Sequence, residues 1–291
     1  MKTDPGLLLV DKPPDVTSHD VVRAARGALA ERRIGHTGTL DPFATGLLLL
    51  CVGSFTRAAE YFHALEKTYS AALRLGQETD TDDLTGTVEF ASDAWRDLDE
   101  HDVVAAIEAR VGESEQVPPA FSAKRVAGVR SYSRARAGSH VELEPVPIVV
   151  HEAGITACRL PEVEFEVTVS TGTYVRALAR DLGRELGCGA HLVALRRTRV
   201  GPFDVTDAYA LSDLPTAGRE DGPGWRGAAT ALPWLERRAL TSSEVVEIEH
   251  GRAIPATETA AGTVALVTDR RLVGIGEVDG DLIRPRKVFP S

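Results

Sequence analysis

The sequence predicts an α+β protein: a mixed, largely antiparallel sheet flanked by helices, followed by a small β domain at the C-terminal end. Three patterns carry this. Val163, Phe165, Val167 and Val169 alternate with Glu162, Glu164, Glu166 and Thr168, the period-two signature of a strand with one buried face. In residues 174–186, Val175, Leu178, Ala179, Leu182 and Leu186 fall on one helical stripe, while Arg176, Arg180 and Arg184 fall on another at i, i+4, i+8. Beyond a stretch rich in proline and glycine, three short apolar runs at 264–268, 272–278 and 282–289 read as the strands of a small separate domain.

The remaining elements follow in order. Gly6-Leu7-Leu8-Leu9-Val10 is a short buried strand. Asp11-Lys12-Pro13-Pro14-Asp15 is a turn, and Thr17 with Asp20 forms a capping-box pattern that opens a helix to about residue 30. Residues 47–52 are an unbroken apolar run, hence a buried strand, and 56–65 reads as helix. Residues 67–76 alternate and end in glycine, a strand. The polar loop Asp80-Thr81-Asp82-Asp83-Leu84-Thr85-Gly86 has alternate carboxylates, but its Gly and Glu do not fall at the positions a calcium loop requires. Residues 99–111 form an amphipathic helix, and Val117-Pro118-Pro119 breaks the pattern before a basic segment. There are no internal repeats.

At 291 residues, with 43% hydrophobic and 26% charged residues, the chain suits two globular domains. No apolar run approaches the roughly 18 residues of a membrane span, and the N-terminal residues lack a signal-peptide core. The three cysteines are scattered without a Cys-x-x-Cys pair, which disfavours a disulfide framework or a zinc site and points to a reducing cytoplasm. The net charge of −10 speaks against a nucleic-acid partner taken globally, yet distribution matters more than the sum. Acids crowd 77–116, whereas 120–140 carries Lys124, Arg125, Arg130, Arg134 and Arg136 with no acid, and 176–199 carries six arginines against Asp181 and Glu185. Any one of these arginines could simply solvate a helix face; together they give an acidic protein with basic patches.

The chemistry gathers at Gly35-His36-Thr37-Gly38-Thr39-Leu40-Asp41-Pro42-Phe43-Ala44-Thr45-Gly46. Three glycines and a proline surround one carboxylate. The residue before proline is pushed out of helix, so Asp41 is held in an extended loop at the mouth of a buried strand. By local chemistry alone this is an Asp-Pro turn. The whole stretch, however, resembles the signature of the TruB family of tRNA pseudouridine synthases, G-H-x-G-x-L-D-P-x-A-x-G, with every defined position present. Asp11-Lys12-Pro13, the strand 67–76 with its Thr79-Asp80-Thr81-Asp82 tail, and Gly172-Thr173-Tyr174-Val175-Arg176 with Leu195-Arg196-Arg197 match the same family in order and spacing. The likeness covers residues 6–215; the C-terminal part is similar to a PUA-like RNA-binding domain, most clearly at Gly274-Ile275-Gly276-Glu277.

The resemblance implies a pseudouridine synthase fold and three divisions: a catalytic domain, 1–212, with a basic RNA-binding insertion at about 114–145; a linker, 213–236; and a PUA-like domain, 237–291. It implies that uridine 55 in the T-loop of tRNA is isomerised to pseudouridine after being flipped from its stack, without metal or cofactor. Asp41 is the implied catalytic carboxylate, as nucleophile or as base, with Arg176 as its cationic partner, because a carboxylate in a dry pocket stays ionised only if a cation compensates. Tyr69 stacks on the target base and is implied to help remove the C5 proton, Tyr174 and Leu195 line the uracil pocket, and His36 enters the space the base vacates. Lys124, Arg125, Arg130, Arg196 and Arg197 are the expected contacts to the RNA backbone. The partner is the T-arm of tRNA; the chain is expected to be monomeric and cytoplasmic, with no membrane or metal. A non-catalytic RNA-binding or RNA-folding protein on the same fold would have no reason to keep Asp41, Tyr69 and Arg176 together. A glycosidase would need a second carboxylate beside the first, and a guide-RNA-dependent relative would be longer.

Overall fold

The structure, a computed structural model, describes residues 4–120, 125–126, 129–130, 143–216, 222–256, 261–269 and 271–289. Strand β1 (Gly6–Lys12) leads into α1 (Ser18–Ala28), β2 (Ile34–His36), β3 (Thr45–Val52) and the single turn α2 (Glu60–His63). Then come β4 (Lys67–Leu75), β5 (Gln77–Thr79), β6 (Val88–Ala91), α3 (Glu100–Glu108) and β7 (Gly112–Gln116). Two short strands, β8 (Arg125–Val126) and β9 (Val129–Arg130), precede β10 (Val146–Arg159), β11 (Glu162–Val169), α4 (Val175–Glu185) and β12 (Ala190–Val200). The remainder holds β13 (Phe203–Asp204), β14 (Tyr209–Ala210), β15 (Trp225–Gly227), β16 (Glu236–Ala239), α5 (Ser242–Glu249), β17 (Ile254–Pro255), β18 (Thr263–Val267), β19 (Leu272–Asp279) and β20 (Leu282–Val288). Among the described residues no helix is long and apolar enough to cross a membrane.

The chain divides into two compact units. One gathers the described residues up to Pro42, those of Gly46–His63 and those from Pro202 onward. Its β1 and β3 pair antiparallel, with Leu8 opposite Leu50 and Val10 opposite Leu48. Both strands are unbroken apolar runs because they are covered on both faces. Helix α1 lays Val21, Val22 and Ala25 against Leu8, Val10, Leu48 and Leu50. It begins where the sequence signals it: Thr17 caps the Asp20 amide and the Asp20 carboxylate returns to the Thr17 amide.

The C-terminal strands form a five-stranded sheet in the order β16-β18-β19-β20-β17, closed by Ile248 of α5 packing with Ile254, Val264, Leu266, Val273 and Ile283. The expected strands are present, but this part is not purely β. Helix α5 starts at a second capping box, Thr241 with Glu244, a pattern the sequence also carries. The expected linker is also structured in part. Trp225 pairs with Leu8 as β15 adds to β1, and Trp234 stands edge-on to Phe62 at 5.2 Å and to Phe203 at 6.1 Å. Phe55 lies 6.2 Å from Phe289 in the same unit. Aromatic burial thus draws 225–234 into the packed unit, where composition alone suggested a free connector. The helix expected at 56–65 is instead a 3-10 segment at Gly53–Ala58 followed by α2.

The other unit comprises Phe43–Thr45 and Ala64–Gly201. Its sheet runs β12-β4-β11-β10-β7, antiparallel throughout. Along β11 the valines and Phe165 are buried and the three glutamates exposed, as the alternation requires. Leu73, Val150, Phe165 and Val167 meet Ile107 of α3 and Leu178 and Leu182 of α4 around a cavity of about 20 Å³. Helix α4 approaches β12 closely at Gly183, where a Cβ would lie 2.2 Å from the Ala190 amide nitrogen; only glycine fits there.

Candidate active site

Asp41 is a half-buried residue of the first unit, and the backbone is gripped on both sides of it. Lys12 ends β1 fully buried, at 0% exposure. A buried ammonium needs acceptors for its protons, and Lys12 Nζ donates to the carbonyls of Pro13 at 3.0 Å, Val16 at 2.8 Å and Pro42 at 3.1 Å. The Pro42 carbonyl also accepts from the Asp15 amide at 2.9 Å, and Asp15 turns the chain with φ 62°. On the other side, Ser18 Oγ accepts from the Leu40 amide at 2.8 Å and donates to the Leu40 carbonyl at 3.1 Å. The Asp11-Lys12-Pro13 segment and the first residue of α1 therefore fix the two residues that flank Asp41. His36 is half-buried at the end of β2, paired with Leu50.

In the second unit, β4 places half-buried Tyr69 between Val167 of β11 and Arg197 of β12. Leu195 is buried on β12 opposite Ala71. Tyr174 is the residue before α4 and has no side-chain acceptor for the helix start. Gln116, buried at the end of β7, supplies the contact: its Oε1 accepts from the Tyr174 amide at 2.9 Å and its Nε2 donates to the Tyr174 carbonyl at 3.1 Å. A lone Gln before a Pro-Pro break carries no motif, so the role of Gln116 is not legible in the sequence.

The arginine stripe of α4 is paired with acids. Arg176 and Arg180 are 4% and 7% exposed, and Arg184 is exposed. Arg176 Nη1 donates to the Thr81 carbonyl at 2.7 Å and lies 3.4 Å from Asp83 Oδ2. Arg180 pairs with Asp82 at 3.0 Å and Asp181 at 2.8 Å, and Arg184 with Glu78 at 2.7 Å. The acids of 78–83 thus answer the arginines rung by rung. Asp83 also orders its own loop, its Oδ1 accepting from Thr81 Oγ1 and from the Thr85 amide and hydroxyl. Burial pushes the Asp82 carboxyl up to about 6, against the pull of Arg180, Arg176 and Arg184. The sequence shows the i, i+4, i+8 arginines and the acidic loop separately, and nothing local pairs them.

Of the expected RNA contacts, Arg196 is half-buried, with Nη1 3.5 Å from Thr45 Oγ1. Arg197 is 3% exposed, which leaves a phosphate little guanidinium to reach. Burial, and then the charge of Arg197, bring the Lys67 ammonium down to about 8. Arg125 and Arg130 are register partners in β8 and β9; Lys124 lies outside the described residues. Among the described residues no cluster of three or more His, Cys, Asp or Glu is arranged to hold a metal ion.

Comparison with known proteins is consistent along the chain. The family model for the N-terminal domain of TruB family pseudouridylate synthases matches residues 26–175. That for the tRNA pseudouridylate synthase B C-terminal domain matches 176–221, and that for the C-terminal part of pseudouridine synthase II TruB matches 239–289. A tRNA pseudouridine synthase B of Thermobifida fusca (strain YX) is 42% identical over 292 residues, covering 98% of each chain. One of Mycolicibacterium paratuberculosis is 42% identical over 280 residues, 95% of this chain and 94% of that one. Among solved structures, a chain of a Cbf5-Nop10-Gar1 complex superposes with TM-score 0.74 at 26% identity, over 98% of this chain and 85% of that one.

Proposed function

The chain belongs to the TruB family of pseudouridylate synthases and is an isomerase acting on tRNA; from that premise we propose that its target is uridine 55 in the T-loop and that Asp41 carries the reaction. The observation that supports this most is the grip on the Asp41 loop. A carboxylate that must meet one sugar-base junction gains from a backbone fixed on both sides, since effective molarity depends on position. In the proposed reaction the N1–C1′ bond of the uridine breaks, the uracil turns, a C5–C1′ bond forms, C5 loses its proton and N1 gains one. Asp41 acts at C1′ as nucleophile, or as the base of a glycal route. No redox step occurs, so the balance needs no electron carrier.

Arg176 serves as the cation for the Asp41 carboxylate in the substrate complex. Its guanidinium is held by Thr81 and Asp83 before substrate arrives, which supports a fixed role over a mobile phosphate contact. Tyr69 stacks on the flipped base, with Tyr174 and Leu195 beside it, and His36 fills the gap left in the loop, repaying part of the few kcal/mol that unstacking takes. Residues 121–140 and the C-terminal sheet hold the T-arm, with Arg196 toward the backbone. The chain works in the cytoplasm as a monomer, its catalytic part being 1–212 and its PUA-like part 237–291.

Mapping pseudouridine along a tRNA transcript by carbodiimide modification tests the substrate assignment. Incubation with the protein should produce one stop, at position 55. The transcript with cytidine at that position should give none. Stops elsewhere with position 55 unmodified would contradict the assignment.

A further inference from the structure

We propose that Arg180 and Asp82 are positioning residues that hold the loop 79–86 against α4 one helical turn behind Arg176, and so fix the guanidinium that Arg176 presents to the reaction. This rests on the proposed role of Arg176 and deepens it.

Arg180 has three partners on three chain segments. Nη1 donates to Asp82 Oδ2 at 3.0 Å, Nη2 to the Val117 carbonyl at 2.8 Å, and Nε to Asp181 Oδ1 at 2.8 Å. Asp82 is anchored in turn by its backbone: its amide donates to the Thr79 carbonyl and its carbonyl accepts from the Leu192 amide of β12, each at 3.1 Å. Its φ of 59° lies in the left-handed region that Asp and Asn tolerate better than other side-chain-bearing residues. The neighbours on either side of Asp82 in the chain, Thr81 and Asp83, each hold Arg176. Fixing Asp82 therefore fixes these two contacts of Arg176. Arg180 further ties in Val117, directly after the Gln116 that clamps Tyr174. One guanidinium thus joins the supports of two proposed site residues.

The pair is poor as a source of stability. Burial outweighs the arginines at Asp82, leaving its carboxyl at about 6, so the ionised form is held at a net penalty. A buried ion pair of that kind is better explained by the geometry it enforces than by the energy it adds. The charged groups that act on the Asp82 carboxyl are Arg180, Arg176, Arg184 and Asp181 on α4. Asp80 and Asp83 stand in its own loop and Glu78 on β5, and His191 precedes Leu192 on β12 with its Nδ1 3.0 Å from the Gln77 carbonyl. Protonation of Asp82 removes its charge from Arg180, so single-turnover rate should rise with pH through a limb near the Asp82 value.

The test compares Asp82→Asn, which keeps the shape and the tolerated backbone, with the native chain. We measure single-turnover pseudouridine formation at saturating enzyme, tRNA affinity by filter binding, and thermal melting. The rate should fall about tenfold, less than the roughly hundredfold that a 1 Å misplacement can cost, with affinity and melting temperature held. The native chain at about pH 5 should match Asp82→Asn at about pH 7.5, and the variant should lose the limb, while His191→Gln keeps it. The double variant Asp82→Asn/Arg180→Met removes both charges of the pair together, leaving only Asp181 without its arginine, and it should show the same loss of rate. Native turnover in either variant overturns the proposal, as does a fall in rate that only tracks a fall in melting temperature. Full activity of Arg176→Gln overturns the role of Arg176 and this proposal with it. An inactive Arg176→Gln beside a fully active Asp82→Asn overturns this proposal alone.

Discussion

Lys12 Nζ donates to the Pro42 carbonyl at 3.1 Å, across 30 residues of chain. The same ammonium holds Pro13 and Val16, so one buried cation ties the end of β1, the start of α1 and the residue after Asp41. Replacing Lys12 by Met leaves these part-buried carbonyls without that donor. An unsatisfied buried polar group costs about 1–3 kcal/mol. Lys12→Met should therefore lose about 1–3 kcal/mol in urea unfolding and lose turnover beyond that. A variant with native stability would mean that other groups already satisfy the loop.

Ser18 offers a narrower test of the same loop. Its hydroxyl meets both the amide and the carbonyl of Leu40, and Ser18→Ala removes both contacts with almost no change in volume. We expect about 1–3 kcal/mol of destabilisation and a lower single-turnover rate with tRNA affinity retained. A rate unchanged at that cost in stability would separate the Leu40 contact from catalysis.

These contacts also mark where the sequence is legible and where it is not. The capping boxes at Thr17 and Thr241, the alternation of β11 and the apolar run of β3 are local patterns, and the structure carries each. The signature around Asp41 is equally local, a contiguous stretch of chain. Lys12 is different: a lysine after an apolar strand reads as surface, and its burial follows from carbonyls that only the fold assembles. The pairing of Trp225 with Leu8, or of Arg180 with Asp82, joins residues far apart in sequence. Period and propensity hold no information about such pairs. The arginine stripe and the acidic loop were each visible, but that they answer one another was not.

His36 should behave as a stacking residue, not as an acid or base. A base stacked on an aromatic side chain gains about 1–3 kcal/mol. His36→Phe should keep most of the native turnover, whereas His36→Ala should lose about tenfold, the rate equivalent of about 1.4 kcal/mol. Equal loss in both variants would point to a ring nitrogen in the chemistry.

Binding should be electrostatic and local to the basic segment. On a logarithmic plot, tRNA affinity should fall linearly with salt. Each single-strand phosphate contact removed should flatten the slope by about 0.7. Lys124→Gln and Arg130→Gln should each weaken binding and reduce the slope; unchanged slopes would place the RNA contacts elsewhere in the chain.

The central claim is that Asp41 performs the chemistry. Forming a C5–C1′ bond must expel the C5 hydrogen, so tRNA transcribed with 5-tritiated uridine reports the reaction directly. The native chain should release about one tritium per transcript, the amount one modified site supplies. Asp41→Asn should release none while still retaining tRNA on a filter. Release that survives Asp41→Asn would contradict the account and move the reaction to another residue.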